Sequence, residues 1–248
     1  MSIERAEAFV MRKVNFKNSD YVVNLFGRDT GKFAGIAKGA RKLDSKFGGS
    51  FDLLNLLEIV FYQGSGLKFI SETDVVENWD GLRSSGEAID VGLRCARTLN
   101  KLLEEGQREE KVFDLFKNTL ASLNESTNRP RVLELGFLLK LFRELGYSPQ
   151  LVNCGDCGRE VGSGARFVPR AGGVMCSGCS SDEGIPLSEG LRKILVKLIS
   201  LPQDQVNRLK VTGHQLEEGF SLLKKFGRYH FDQDVISGVR QGSGKGNF

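Results

Sequence analysis

Over the first eighty residues the apolar positions fall in short β-branched and aromatic runs, at 6–14, 21–26, 32–37, 53–62 and 67–77. Asn18-Ser19-Asp20, Asp29-Thr30-Gly31, a glycine-rich segment and Gly64-Ser65-Gly66 separate them, and such clusters are turn chemistry. Five short strands with glycine turns predict a small barrel. The OB-fold is the five-stranded barrel that commonly binds single-stranded nucleic acid, and an SH3-like barrel gives much the same pattern.

After Trp79 the apolar spacing changes to steps of three and four. Residues 89–103 and 112–123 read as helices, and a third follows Pro130 with Val132, Leu135, Leu139 and Phe142 on one face, stopping at Gly146. Ser188 is placed to cap a helix bearing Leu191, Ile194, Leu195, Leu198 and Ile199, and a later helix carries Leu216, Phe220, Leu223 and Phe226. These stripes read as core. The tail, from residue 238, is Gly- and Ser-rich and reads as frayed.

Two cysteine pairs interrupt the helical pattern. Cys154 and Cys157 are two residues apart, eighteen residues follow, and Cys176 and Cys179 repeat the spacing. This is the pattern of a four-thiolate zinc site. Residues 166–169 and 172–175 read as the two strands of a zinc ribbon hairpin around a Gly-Gly turn, and Gly155, Gly158 and Gly178 suit unusual backbone torsions. Four protein ligands leave no position for an activated water, so one structural zinc per chain is expected. A disulfide pair and a redox C-x-x-C are the competing readings. Cys95, among Ile89, Leu93, Ala96 and Leu99, reads as a buried thiol.

The fold class expected is therefore α+β and multidomain: an N-terminal OB-fold β-barrel over 1–80, then an α-helical domain in two parts, 81–153 and 181–240. A zinc ribbon at 154–180 is inserted between those parts, and a flexible tail occupies 241–248. With 248 residues, 40% hydrophobic and 27% charged, the composition is that of a globular protein. No signal-peptide run opens the chain, and charges break the hydrophobic stretches well short of eighteen residues. A cytoplasmic location, with reduced cysteines and no membrane partner, is the expectation.

The distribution of charge along the chain is more informative than its composition. The formal net charge is only +4, yet residues 12–46 hold nine Lys or Arg against three Asp, and residues 52–80 hold one Lys against six acids. The N-terminal region is electrically polarised, which favours a polyanion on one side and a different partner on the other. In the stretch IAKGARKLDSKFGGSF, residues 36–51, the cations Lys38, Arg41, Lys42 and Lys46 fall within nine residues, with Phe47 and Phe51 as candidate stacking surfaces. Cations release counterions from phosphates and aromatic rings offer bases a face. The bland reading of this segment is a solvated charged loop, and the surrounding barrel favours nucleic acid.

Enzyme machinery is thin. His214 and His230 are the only histidines, too few for a His-rich metal site or a recognisable triad. The tail GVRQGSGKGNF fails the P-loop pattern, because Val239 stands where the first Gly belongs and Gly246 follows Lys245. No nuclease carboxylate pattern stands out, and the expectation is a protein that is not an enzyme.

A basic barrel carrying GARK and SKF, a helical region, the run ELGYSPQLVNCGDCG leading into the cysteine pairs, and a closing helical segment together resemble the RecO family of bacterial DNA repair and recombination proteins. The segment from Leu145 to Gly158 is the most specific element. The resemblance implies a recombination mediator without catalytic turnover that binds single- and double-stranded DNA and anneals complementary strands. It also implies work with RecR, sometimes with RecF, to load RecA onto strands coated by single-stranded DNA-binding protein. RecR and the acidic, apolar tail of that coating protein are expected on surfaces other than the basic loop, the tail in a hydrophobic groove rimmed by Lys or Arg between helices of the helical body. An RNA-binding or ribosome-associated barrel would use the same cations and ribbon, and an unrecognised hydrolase is a third class.

Overall fold

The structure, a computed structural model, describes residues 2–63, 66–125, 129–180 and 183–236. The expected Gly64-Ser65 turn and the Gly- and Ser-rich tail lie outside the described residues. Five strands, β1 (Ile3–Phe16), β2 (Asp20–Gly27), β3 (Gly31–Ala37), β4 (Leu56–Tyr62) and β5 (Lys68–Glu77), close into a barrel in the order β1-β2-β3-β5-β4. The closed five-strand arrangement, with only β3 and β5 parallel, is OB-like.

Closure depends on a bend in the longest strand. The register of β1 shifts between Val10 and Arg12, so its first half, Ile3 to Phe9, pairs with β4 and its second half, Ala8 to Phe16, pairs with β2. An extra residue in one strand bends it and increases local twist. The final seam is short: β3 meets β5 only at Gly35↔Lys68 and Ile36↔Phe69. A Cβ on Gly35 would stand 2.8 Å from Ile70 Cδ1, so glycine is what admits this approach.

Alternating residues of the strands fill the barrel, among them Val10, Val23, Leu25, Phe33, Leu57, Ile59, Phe61 and Ile70. The segment connecting β3 to β4 closes one end. Phe47 and Phe51 point into the core at 3% and 2% exposure, with ring centroids 5.3 Å apart. They are therefore not stacking surfaces for bases, as the sequence suggested. Burying a Phe side chain stabilises by about 1.5–3 kcal/mol, and an open barrel end supplies the place to bury two.

Two compact units divide the chain, Met1–Thr127 and Asn128–Phe248. In the first, helices α1 (Asp80–Arg83), α2 (Gly86–Leu102) and α3 (Glu110–Asn124) fold with the barrel. Phe9 meets Phe113 and Phe116, each at 4.8 Å between centroids. Trp79 marks the change from strand to helix. It adopts a left-handed conformation (φ 59°) and its buried indole donates to Leu54 O at 3.0 Å.

The second unit is built around α4 (Pro130–Glu144), which packs against α5 (Glu189–Ser200), a 3-10 segment (Gln203–Arg208) and α6 (Gly213–Phe231). The spacing of Val132, Leu135, Leu139 and Phe142 suggested one buried face. Instead every residue from 132 to 142 is buried, Glu134 and Lys140 included. A helix enclosed on all sides has no polar stripe, and Lys140 is accommodated because its Nζ donates to Gln203 Oε1 at 2.7 Å. Burial holds its pKa down at about 8. Ser188 caps α5 as expected, accepting from Leu191 N. Between α4 and α5, β6 (Arg166–Val168), β7 (Gly173–Met175) and β8 (Ile185–Pro186) form a small antiparallel sheet in the order β7-β6-β8.

Candidate metal centre and nucleic-acid interface

The four cysteines of the spaced pairs converge. Their sulfurs all lie within 4.8 Å of one another, and Cys157 Sγ and Cys176 Sγ are 3.9 Å apart. Thiolates at about 2.3 Å from a tetrahedral zinc stand about 3.8 Å from each other, so the cluster has the size of that coordination shell.

Backbone geometry makes the convergence. Gly158 N–H donates to Cys154 O at 3.0 Å, and Cys179 N–H donates to Cys176 O at 3.0 Å, which closes each pair into a tight turn. Gly155 N–H donates to Val174 O at 2.9 Å and joins the first turn to β7. Gly158 takes a positive φ of 72°, whereas Gly155 and Gly178 do not use that freedom. Three residues before the first pair, Leu151 O accepts from Nη1 of buried Arg192 of α5 at 3.2 Å, which ties that stretch of chain to α5.

The electrostatics suit a cation. The backbone N–H groups of Cys176, Cys157 and Asp156 hold the Cys154 thiol down at about 6, and Arg159, with Nε 3.5 Å from Cys157 Sγ, lowers that thiol too. Cys179 goes the other way: its hydrogen bond to the Asp156 carboxylate, then its sulfur neighbours, push it up. Crowded sulfurs resist becoming thiolates together, and a bound dication removes that opposition. The donor set fits zinc.

The cations singled out in the sequence, Lys38, Arg41, Lys42 and Lys46, are all exposed on the segment joining β3 to β4. That segment is anchored to the β1–β2 turn. Arg41 N–H donates to Ser19 O at 2.9 Å, Gly39 N–H donates to Asp20 Oδ1 at 2.9 Å, and Arg41 Nη1 lies 3.5 Å from both Lys17 O and Asn18 O. Lys17, exposed in that turn, therefore belongs to the same end of the barrel, and sequence spacing alone did not link it.

Aromatic faces are present, supplied by other residues than those expected. Lys38 Nζ stands 5.4 Å from the centre of the Phe69 ring, and Lys17 Nζ 5.4 Å from that of Phe16. Phe69 and Phe16 are 36% and 37% exposed, unlike Phe47 and Phe51. Strand alternation held the signal: buried Ile70 faces inward, so adjacent Phe69 faces out.

The opposite charge expected in the second half of the barrel is also laid out on its surface. Glu58 of β4 and Glu72 and Asp74 of β5 are exposed and line one shallow depression with Arg5, Glu7 and Asp29. In the second unit, Pro169, Lys225, Arg228, Tyr229 and Asp232 line a shallow groove, with Tyr229 58% exposed. Among the described residues, no helix is long and apolar enough to cross a membrane.

Comparison with known proteins accounts for nearly the whole chain. Residues 1–79 match the family model described as Recombination protein O N terminal, and residues 83–237 match that described as Recombination protein O C terminal. A DNA repair protein RecO of Rubrobacter xylanophilus is 30% identical over 93% of this chain and 91% of its own length. Proteins of the same name from Desulfatibacillum aliphaticivorans and Desulfitobacterium hafniense are each 30% identical, covering 93% and 96% of this chain and 93% and 88% of theirs. The chain, with its OB-like barrel, its helical second unit and its four-cysteine cluster, belongs to the RecO family of recombination proteins.

Proposed function

We propose that this protein acts in DNA repair and homologous recombination as a mediator without catalytic turnover. It binds single- and double-stranded DNA at the barrel end carrying Lys38, Arg41, Lys42 and Lys46 and anneals complementary strands. With RecR, and in some settings RecF, it promotes loading of RecA onto strands coated by single-stranded DNA-binding protein. The observation that carries the DNA-binding step is the anchored β3–β4 segment, where four exposed cations stand beside the Lys38–Phe69 and Lys17–Phe16 pairs. Cations lower the repulsion between two phosphate backbones, and aromatic faces accept bases irrespective of sequence. Weak, salt-sensitive contacts let two strands search for register before pairing. A cytoplasmic site of action accords with this role.

Cys154, Cys157, Cys176 and Cys179 would hold one zinc ion, which supplies structure and no reaction step, since four thiolates complete its shell. The groove lined by Pro169, Lys225, Arg228, Tyr229 and Asp232 combines apolar surface with the cation of Lys225, Arg228 being paired with Asp234 at 2.7 Å, and a cation beside apolar surface is the chemistry an acidic, apolar peptide tail requires. The acidic depression on β4 and β5 leaves that side of the barrel to a protein partner and not to DNA.

Annealing of complementary strands pre-coated with single-stranded DNA-binding protein, measured with and without RecR, tests the reading. Faster annealing than the coated strands alone supports it. No acceleration by folded, metal-replete protein, together with no DNA binding, would overturn it.

A further inference from the structure

Leu43 lies in the middle of the cationic β3–β4 segment at 110% relative exposure, more than any other large apolar side chain among the described residues. Ile3, Val14 and Leu67, at 62%, 43% and 45%, retain partial cover. The backbone around Leu43 is fixed in successive turns: Lys42 N–H donates to Gly39 O at 3.1 Å, Ser45 N–H to Lys42 O at 3.1 Å and Gly48 N–H to Ser45 O at 3.2 Å. Arg41 N–H, bound to Ser19 O, ties this run to the β1–β2 turn.

A single exposed leucine is ordinary on a protein surface. This one is flanked by exposed Arg41, Lys42 and Lys46 against one exposed carboxylate, Asp44. Leu43 thus stands within the surface that a polyanion drawn to those cations would meet, and minor-groove binders insert apolar side chains of this kind as wedges between base steps. Resting on the DNA-binding reading above, we propose that Leu43 inserts between two neighbouring bases of the bound strand while Arg41 and Lys42 hold the flanking phosphates. Insertion costs less in a single strand than in a duplex, where pairing also resists separation. The wedge therefore biases the loop towards single strands and holds bases apart for a complementary strand to read.

The test uses the full-length protein and single-stranded oligonucleotides carrying 2-aminopurine, whose fluorescence rises when it is unstacked. Wild type raises the signal. Leu43→Ala abolishes the rise and weakens single-strand binding by about five- to tenfold, while the salt dependence stays unchanged because no charge is lost. Leu43→Phe retains the rise. An equal rise for wild type and Leu43→Ala would overturn the wedge and leave DNA binding by the cations intact. So would flotation of the wild type on phosphatidylglycerol vesicles, lost in Leu43→Ala, without any 2-aminopurine effect. Unchanged DNA affinity in Arg41→Ala/Lys42→Ala would strike the underlying reading instead.

Discussion

The Asp20 carboxylate accepts a hydrogen bond from the Gly39 backbone N–H at 2.9 Å, joining the β1–β2 turn to the start of the cationic segment. A buried carboxylate thereby sits under a surface proposed to bind a polyanion. Removing it has opposite consequences under two accounts. If only charge matters, Asp20→Ala tightens DNA binding. If Asp20 positions the segment, the same change weakens binding and costs about 1.5–3 kcal/mol of stability, the range for a hydrogen bond to a charged group. The positioning outcome is expected, by fluorescence anisotropy with labelled single strands and by chemical denaturation.

Phe47 and Phe69 separate packing from binding. Phe47→Ala opens a cavity in the barrel end and should destabilise by about 3–5 kcal/mol. Phe69→Ala should leave stability within about 1 kcal/mol and reduce single-strand binding free energy by about 1–3 kcal/mol, the usual worth of one stacked base. Thermal melting and a DNA titration of both variants check this.

These two residues also show what the sequence could convey. The strands, the helices and the cysteine spacing were legible because each follows a local period or a fixed interval, and the Ser188 cap is equally local. Phe47 and Phe51 misled because an aromatic beside lysines looks the same in sequence whether it plugs a barrel or faces solvent. Only barrel closure, which pairs the first strand, β1, with the fourth, β4, decides it. The enclosure of α4 was hidden for a similar reason: Glu134 and Lys140 read as a polar face, and the Gln203 that receives Lys140 lies 63 residues away. Lys17 joined the cationic end through contacts with Arg41 across 24 residues, again beyond local pattern.

The metal centre predicts composition. Freshly prepared reduced protein should contain about one zinc per chain by elemental analysis, and Cys157→Ser or Cys176→Ser should lose it and become prone to unfolding or aggregation. Structural zinc in small peptides contributes on the order of 10–16 kcal/mol of apparent binding energy. Cys95→Ala, at a buried α2 position that is not one of the four clustered cysteines, should leave the metal content unchanged.

Lys140 gives stability a pH signature. Its folded pKa of about 8 lies below the ordinary 10.5, so between those values the unfolded chain binds more protons than the folded one. Stability from this group therefore rises as pH climbs from about 8 to about 10.5, and the penalty is fully present below 8. Lys140→Met should flatten the difference across that window by about 1–2 kcal/mol after solvent screening. Denaturation midpoints of both proteins at pH 7.5, 8.5 and 9.5 would read it, and parallel curves would count against burial of a charged Lys140.

Engagement of DNA phosphates by the β3–β4 cations is read directly by the dependence of affinity on salt. If Lys38, Arg41, Lys42 and Lys46 each neutralise one phosphate of a single strand, they contribute a slope of log affinity against log salt of about −0.7 times four, near −3. Arg41→Ala/Lys42→Ala should make the wild-type slope shallower by about 1.4, to a similar extent for strands of different sequence. Its zinc content and melting temperature should stay near those of the wild type. A folded double variant with an unchanged slope would contradict the account and move the DNA site away from this loop.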